Sequence, residues 1–190
     1  MKPRGTKTLR VLYLFAGRQR KADICACLKL IADEFNASID LGFEVALTVR
    51  EIDVVRHGES DNLLSASLQE DVYKEVLAEK HHIIVESPPC DTYSRAPLSG
   101  HPGPKPLRSA QWPRGLPGLP PVAVQRVRDA NILADFAIKI LEAAGEVGAI
   151  SLLEFPEDLG PSKLGTPASL WQRSDMKALT QWGYQRGAIY

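Results

Sequence analysis

Two residues with useful chemistry, Cys90 and Glu154, stand directly after short apolar runs. Residues 83–85 (IIV) lead through a serine and two prolines to Cys90, and residues 149–153 (AISLL) lead to Glu154. A short β-branched run that proline stops is typical of a buried strand ending at the rim of a sheet. A thiol at that rim is a nucleophile once it is ionised, and a neighbouring carboxylate can hold a proton. A lone cysteine in such a place more often only packs the core.

Two further strand ends carry groups suited to a ligand. The run at residues 9–15 (LRVLYLF) ends in Ala16 and Gly17, and the run at residues 42–49 ends before Glu51 and Asp53. A glycine turn lets a ligand approach the backbone, and acids after a second strand suit ribose hydroxyls. Because the carboxyl ends of parallel strands share one edge, these four features are expected to form one crevice.

Alternation of strand and helix patterns defines the expected fold. Helical spacing of apolar residues recurs at 18–37, 68–79, 128–144 and 169–182. Strand patterns occupy 9–15, 42–49, 83–85 and 149–153, and a last one is expected at 185–190. Strand, glycine turn and helix is the opening unit of a doubly wound fold. The sequence therefore predicts an α/β protein with a mainly parallel, Rossmann-like sheet.

Bulk composition narrows the class of protein. A chain of 190 residues, 44% hydrophobic and 24% charged, is expected to form one domain over residues 1–190. Three cysteines do not make a disulfide framework, which predicts reduced thiols and an intracellular location. The apolar run near the N-terminus is too short for a signal peptide or a membrane span, so no membrane partner is expected. No histidine has metal-ligand spacing, so no metal is expected, and the oligomeric state stays open.

A proline-rich, basic loop is expected at about residues 95–125. Residues 97–121 hold more than half of the fourteen prolines, and residues 92–128 contain no Asp or Glu. Its cations include Arg95, Arg108 and Arg114, with Trp112 among them. A basic loop after a possible nucleophile favours an anionic substrate such as a nucleic-acid backbone. On charge alone, a solvated loop that happens to be basic is an equal interpretation.

In order along the chain, VLYLFAG, EID, DNLL, SPPCDTYS and LLEFPEDLG resemble motifs of the DNA (cytosine-5) methyltransferases. The resemblance runs along nearly the whole chain, and SPPC with a downstream Glu-x-Pro is its most specific part. It implies the S-adenosylmethionine-dependent methyltransferase type of Rossmann-like fold. It also implies methyl transfer to carbon 5 of a cytosine flipped out of double-stranded DNA.

The resemblance assigns roles to individual residues. Cys90 would add to carbon 6 of the base, and Glu154 would hold ring nitrogen 3 and the exocyclic amine. The residues implied for S-adenosylmethionine are Phe15, Ala16, Gly17, Glu51, Asp53, Asp61 and Pro88. Those expected to contact DNA are Ser94, Arg95, Arg108 and Arg114, and Arg95 is also a candidate for favouring the thiolate.

The sequence departs from the family at several points. Gly17 is followed by Arg18, Gln19 and Arg20 where further glycines are usual, and Phe155 replaces an asparagine. The resemblance stops before a Gln-x-Arg motif and a target-recognition domain, which predicts a divergent and incomplete member. One alternative is a catalytically inactive module that binds nucleic acid or a partner protein. Another is a cysteine enzyme of a different kind, which would need a histidine near Cys90.

Overall fold

The computed structural model describes residues 5–39, 42–98 and 103–187. It is an α/β structure with one four-stranded, all-parallel sheet flanked by helices, so the predicted Rossmann-like doubly wound fold is confirmed. The strands are β1 (Gly5–Leu14), β2 (Phe43–Ile52), β3 (Ile83–Glu86) and β4 (Ile150–Leu153). The helices are α1 (Ile24–Ser38), α2 (Val54–His57), α3 (Ala66–Leu77), α4 (Pro121–Val147) and α5 (Ser174–Ala178).

β1 lies inside the sheet, and its C-terminal end is apolar on both faces. Its last four residues, 11–14, are all buried, which is the pattern of a parallel strand covered on both faces. It pairs with β2 along its full length, from Gly5 opposite Phe43 to Leu14 opposite Ile52. On its other side it pairs with β3, where Leu14 lies opposite Glu86.

The order of the strands places a ligand crevice by topology alone. The sheet runs β2-β1-β3-β4, so the chain steps to one side of β1 and then returns to the other. In open α/β sheets, ligands bind outside the carboxyl ends of the strands where the order reverses. That point lies at the ends of β1 and β3, after Leu14 and Glu86.

α3 begins and ends within two residues of the sequence expectation, whereas α1 begins six residues later than expected. α1 begins after Asp23, whose carboxylate accepts the Ala26 N–H at 2.9 Å, and α3 begins after Ser65, which caps it in the same way. α4 begins earlier than predicted, at Pro121, because proline at the first helical position costs no hydrogen bond. The strand β2 extends further than predicted and includes Glu51.

Two predictions near the C-terminus are wrong in detail. The helix expected over 169–182 is broken into α5 and short 3₁₀ turns, because Arg173 has extended backbone angles of φ −64° and ψ 144°. In the strand expected over 185–190, residues 185–187 have no strand structure, and residues 188–190 lie outside the described part. Residues 103–120 form neither helix nor strand, as the proline pattern predicts.

The chain divides into two compact units, and the expectation of a single domain stays a prediction. The sheet unit comprises Met1–Glu86 and Ala143–Leu152, and the loop unit comprises Ser87–Glu142 and Leu153–Tyr190. A core of the sheet unit is formed by Val11, Tyr13, Ala16, Cys25 and Val85. A core of the loop unit is formed by Tyr93, Ala134, Ile138, Leu141, Phe155, Ala168, Leu170 and Leu179.

Candidate active site

Cys90 lies on a stiff turn four residues after the last residue of β3. The two prolines before it have no backbone donor and cannot continue the ladder, and Pro88 is buried. The Cys90 carbonyl accepts the Tyr93 N–H at 2.9 Å and so begins a 3₁₀ turn. The thiol is half-buried and forms no disulfide. Backbone geometry therefore positions a free thiol.

Glu154 is the first residue after β4, and its side chain is exposed. The next residue, Phe155, is buried and packs edge-to-face on Tyr93 with ring centroids 5.2 Å apart. Such aromatic contacts favour one relative orientation of the two rings. Because Tyr93 belongs to the Cys90 turn, this contact fixes Glu154 and Cys90 on neighbouring segments of the loop unit.

The electrostatic environment keeps Cys90 protonated at rest. Burial raises the pKa of the Cys90 thiol, the charge of Glu154 raises it further, and Asp91 adds a smaller effect. Ionisation is disfavoured because a thiolate there would be partly desolvated and close to carboxylates.

Arg95 does not provide the positive charge that the sequence analysis expected to favour the Cys90 thiolate. Its guanidinium donates to the carbonyls of Gly160 and Pro161, at 3.3 and 3.0 Å. The pKa of Cys90 is raised, first by burial and then by the charge of Glu154, and no cation contributes to the shift. The idea that Arg95 favours the thiolate is therefore wrong, while its expected contact with DNA stays a prediction.

Arg108 organises the proline-rich loop from inside. It is 3% exposed, and its guanidinium stacks on Tyr93 at 4.1 Å from the ring centroid. Its hydrogen bonds go to Thr92 Oγ1, Asn131 Oδ1 and the carbonyls of Pro113 and Val127. With these partners, the guanidinium is not presented to a DNA phosphate. Its place in the structure is that of a group supporting the Cys90 turn.

Acids from outside the acid-free segment neutralise two of its other arginines. Arg114 makes a two-pronged ion pair with Asp135, with N–O distances of 2.7 and 3.1 Å. Arg126, in α4, pairs with Asp91 beside the candidate nucleophile. The Arg114 side chain is still 58% exposed, so its expected contact with DNA stays a prediction. The basic character of the segment is weaker in the fold than in the sequence.

At three other predicted positions, the structure gives only local contacts and burial. Ser94 is exposed and follows the 3₁₀ turn, and its N–H donates to the Asp91 carbonyl at 3.3 Å. Asp61 ends a 3₁₀ turn, where its carboxylate lies 2.6 Å from Nδ1 of His57. Pro88 is buried. Their predicted contacts with substrate and cofactor stay predictions.

At the end of β1 in the sheet unit, Gly17 has a left-handed φ of 65°, and no atom lies within 4 Å of where a Cβ would stand. Its N–H donates to Oδ2 of Asp53 at 2.8 Å. Oδ1 of Asp53 accepts the Val55 N–H at 2.7 Å and caps α2. Asp53 thus joins the glycine turn to α2.

Arg56, in α2, occupies the polar groups that surround this turn. Its Nε donates to the Gly17 carbonyl at 2.6 Å, and Nη2 donates to the Ala16 carbonyl at 3.1 Å. The same guanidinium pairs with Glu51 and with Asp23. The Arg56 side chain is only 7% exposed. We call this set the Arg56 network: Arg56, Glu51, Asp23 and the carbonyls of Ala16 and Gly17.

Cys25 extends the Arg56 network from α1. Its Sγ donates to Oε1 of Glu51 at 2.6 Å, the same oxygen that Arg56 contacts. Burial raises the pKa of Cys25 to about 12, and the hydrogen bond to Glu51 adds to the effect. Burial alone would lower the pKa of Arg56, but its bonds to Glu51 and Asp23 raise it. The network is therefore a fixed set of charged partners.

Several of the residues predicted to hold S-adenosylmethionine already have partners within the protein. Glu51 is ion-paired with Arg56, both oxygens of Asp53 accept backbone N–H groups, and Phe15 is 8% exposed. A ribose diol needs a carboxylate whose oxygens can accept its hydroxyl protons. The open space at Gly17 suits a ligand, but the polar groups around it are engaged within the protein.

Sequence reasoning missed Arg56 and Glu86. The only signal for Arg56 is its place three residues after Asp53, in the first turn of a short helix. Glu86 ends β3, is fully buried, and neither carboxyl oxygen has a hydrogen-bond partner. Burial raises the pKa of Glu86 well above its usual range, so the group is a neutral acid. In a sequence, a glutamate at the end of an apolar run indicates an exposed strand end, so the burial of Glu86 was not predicted.

Comparison with known proteins yields no match to a family model, to a curated protein or to a solved structure. Within residues 5–39, 42–98 and 103–187, no group of three or more His, Cys, Asp or Glu side chains could hold a metal ion. Across the same ranges, no helix is both long enough and apolar enough to cross a membrane.

Proposed function

We propose that the chain is a cytosine-5 methyltransferase-type module acting on DNA. In this proposal Cys90 attacks the base, and Glu154 transfers the thiol proton to the base. The observation that carries this proposal is the placement of Cys90 and Glu154 just after two neighbouring parallel strands, with their segments joined by the Tyr93–Phe155 ring contact. The charge of Glu154 also raises the pKa of Cys90. A half-buried thiol beside a carboxylate is the pair that covalent activation of a pyrimidine requires. The resemblance of the SPPC and Glu-x-Pro segments adds the identity of the base.

The activation step balances with these two side chains. The Cys90 proton passes to Glu154, and the thiolate forms a bond to carbon 6 of cytosine. The carbon 5–carbon 6 π pair becomes a carbon 4–carbon 5 bond, and the carbon 4–nitrogen 3 pair moves to nitrogen 3, which takes the proton from Glu154. Carbon 5 is then an enamine carbon that can attack an electrophile. Glu154 stabilises the charge that develops on nitrogen 3.

S-adenosylmethionine is the methyl donor that the resemblance implies, and its chemical contribution would be an electrophilic methyl group. The base itself is out of reach in a duplex and must be flipped out, at a cost of about a few kcal/mol. DNA with a mismatched target cytosine lowers that cost. Such DNA is therefore the substrate of choice for a test.

Exchange of the cytosine carbon 5 hydrogen tests the proposal without a methyl donor. In D₂O the enamine takes a deuteron at carbon 5 and then loses the original proton as Cys90 leaves. We expect Cys90-dependent deuteration of a mismatched cytosine, read by mass spectrometry of the recovered nucleoside. The rate should rise with pH, because burial and Glu154 raise the pKa of Cys90 and so limit the thiolate at neutral pH.

Cys90→Ser should abolish exchange, and Cys27→Ser is the matched control because Cys27 is an exposed thiol on α1. Exchange by the Cys90→Ser protein at the wild-type rate would refute the assignment of Cys90 as the nucleophile. No exchange by a folded wild-type protein would refute the proposed function.

A second candidate function is a non-catalytic module on the same fold that binds nucleic acid or a partner protein. The Arg56 network favours it, since the groups predicted to hold the cofactor are engaged with one another. In that case DNA would bind without deuteration of cytosine, so the exchange experiment separates the two functions.

A further inference from the structure

The groups of the Arg56 network that face Arg56 are all hydrogen-bond acceptors. They comprise two carboxylates, Glu51 and Asp23, and the carbonyls of Ala16 and Gly17. One guanidinium, which has five N–H donors in all, donates one bond to each of them. A ligand that replaces Arg56 at this edge must therefore present donors of its own.

This restricts the chemistry of a replacement. An anionic group such as a phosphate would meet two carboxylates there, so a phosphate-bearing ligand is disfavoured. A ribose diol can donate to a carboxylate, and an ammonium can donate to carbonyl oxygens. The edge is thus suited to a nucleoside that carries hydroxyl donors and an amine.

Burial makes the exchange of Arg56 for such a ligand costly. The side chains of Arg56 and Asp23 are 7% and 11% exposed, so the pair is largely withdrawn from water. Removing one partner of a buried ion pair leaves an uncompensated charge unless another donor takes its place. A ligand must supply donors to Glu51 while Arg56 moves to solvent.

We propose that Arg56 is the specificity-determining residue of this edge: it keeps the end of β1 closed to nucleosides, and the edge admits one only when Arg56 leaves Glu51. The assignment of a nucleoside rests on the function proposed above. The closure itself rests on the contacts of Arg56 within the sheet unit.

Substitution of Arg56 tests the proposal, with S-adenosylhomocysteine and adenosine as probes in calorimetric titrations. Arg56→Met keeps much of the side chain's length but removes every donor, and it should bind S-adenosylhomocysteine about tenfold or more tightly than the wild type, a change of about 1.4 kcal/mol. Arg50→Met is the matched control, because Arg50 lies on β2 and pairs with Glu75 instead. It should leave the affinity at the wild-type level.

Arg56→Lys guards against a folding defect. Lysine keeps a cation between Glu51 and Asp23 but lacks the planar fork that reaches both carbonyls, so its affinity should lie between those of the wild type and Arg56→Met. If Arg56→Met does not fold, the affinity of Arg56→Lys for S-adenosylhomocysteine tests the proposal in its place. Wild-type binding as tight as that of the folded variant would overturn the proposal.

The deuterium exchange at cytosine needs no nucleoside ligand, so it reports on the proposed function separately. If deuterium exchange occurs but substitution of Arg56 gives no gain in nucleoside binding, only the proposed closure by Arg56 is refuted. A gain in binding without exchange supports the closure by Arg56 and refutes the proposed catalytic function.

Discussion

Cys90 is a protonated thiol in the resting protein because the groups around it disfavour a second negative charge. Burial and the neighbouring Glu154 both raise its pKa, and Asp91 acts in the same direction. The same carboxylate that opposes ionisation can accept the thiol proton once a base is present to receive it. Glu154 is therefore expected to slow the reaction of Cys90 with simple electrophiles and to speed its reaction with cytosine.

Glu154→Gln separates these two effects. Removing the charge should lower the pKa of Cys90, so alkylation by iodoacetamide below that pKa should become faster, because a larger fraction of the thiol is then ionised. Deuterium exchange at cytosine should become slower, because glutamine cannot carry the proton. Peptide mass spectrometry in a Cys27→Ser background reports the Cys90 rate.

Glu157→Gln is the matched control, as it removes the same charge from the same loop. Alkylation of Cys90 that responds equally to both substitutions would contradict a specific coupling of Cys90 to Glu154. Cys25 should remain unlabelled in every folded variant, because burial and Glu51 raise its pKa to about 12.

At the scale of elements, the short strand β3 ends in a buried carboxyl group that destabilises the folded state. Its last residue, Glu86, is 0% exposed, and its carboxyl has no hydrogen-bond partner. The paired end of β1, residues 11–14, is apolar on both faces, so the acid is held among groups that disfavour its ionised form. Folding therefore keeps Glu86 neutral at pH values where the unfolded chain ionises it.

Glu86→Met should raise stability at neutral pH and flatten its pH dependence. The folded pKa of Glu86 is raised, so the folded state holds a proton that the unfolded state has released. Stability should then fall as pH rises above the unfolded pKa of about 4.3, by at most about 1.4 kcal/mol per pH unit from this group. Urea unfolding between pH 4 and 8 measures the slope.

Glu70→Gln, at an exposed position of α3, is the control for that series and should keep the wild-type slope. A Glu86→Met protein that is less stable than the wild type at pH 7 would contradict the interpretation, because it would mean that the carboxylate has a stabilising partner.

The elements themselves could largely be predicted because their signals are local. The strand at 9–15 and the helix that contains Ile24 and Leu28 follow from apolar spacing within a few residues. The helix expected over 169–182 failed because periodicity does not reveal that Arg173 turns to an extended conformation. Its guanidinium pairs with Asp135 at 2.6 Å, a partner 38 residues away.

At the scale of the whole molecule, the strand ends that carry the candidate residues were predictable, but the side-chain partners of those residues were much less so. Parallel strands of a doubly wound sheet end at one edge, so Gly17, Asp53, Cys90 and Glu154 could each be assigned to a strand end. Arg56 and Arg108 could not be assigned, because most of their partners lie 16 to 40 residues away. A formal net charge of zero also did not reveal that Asp91 and Asp135 neutralise Arg126 and Arg114.

The most direct test of the account is a covalent adduct between Cys90 and a cytosine analogue in DNA. A duplex with one mismatched 5-azacytosine presents an electrophilic carbon 6 that captures an attacking thiolate without any methyl donor. The account predicts a DNA adduct on the Cys90 peptide in the wild type and in Cys27→Ser, and none in Cys90→Ser. A folded wild-type protein that forms no adduct, or forms one only at Cys27, would contradict it.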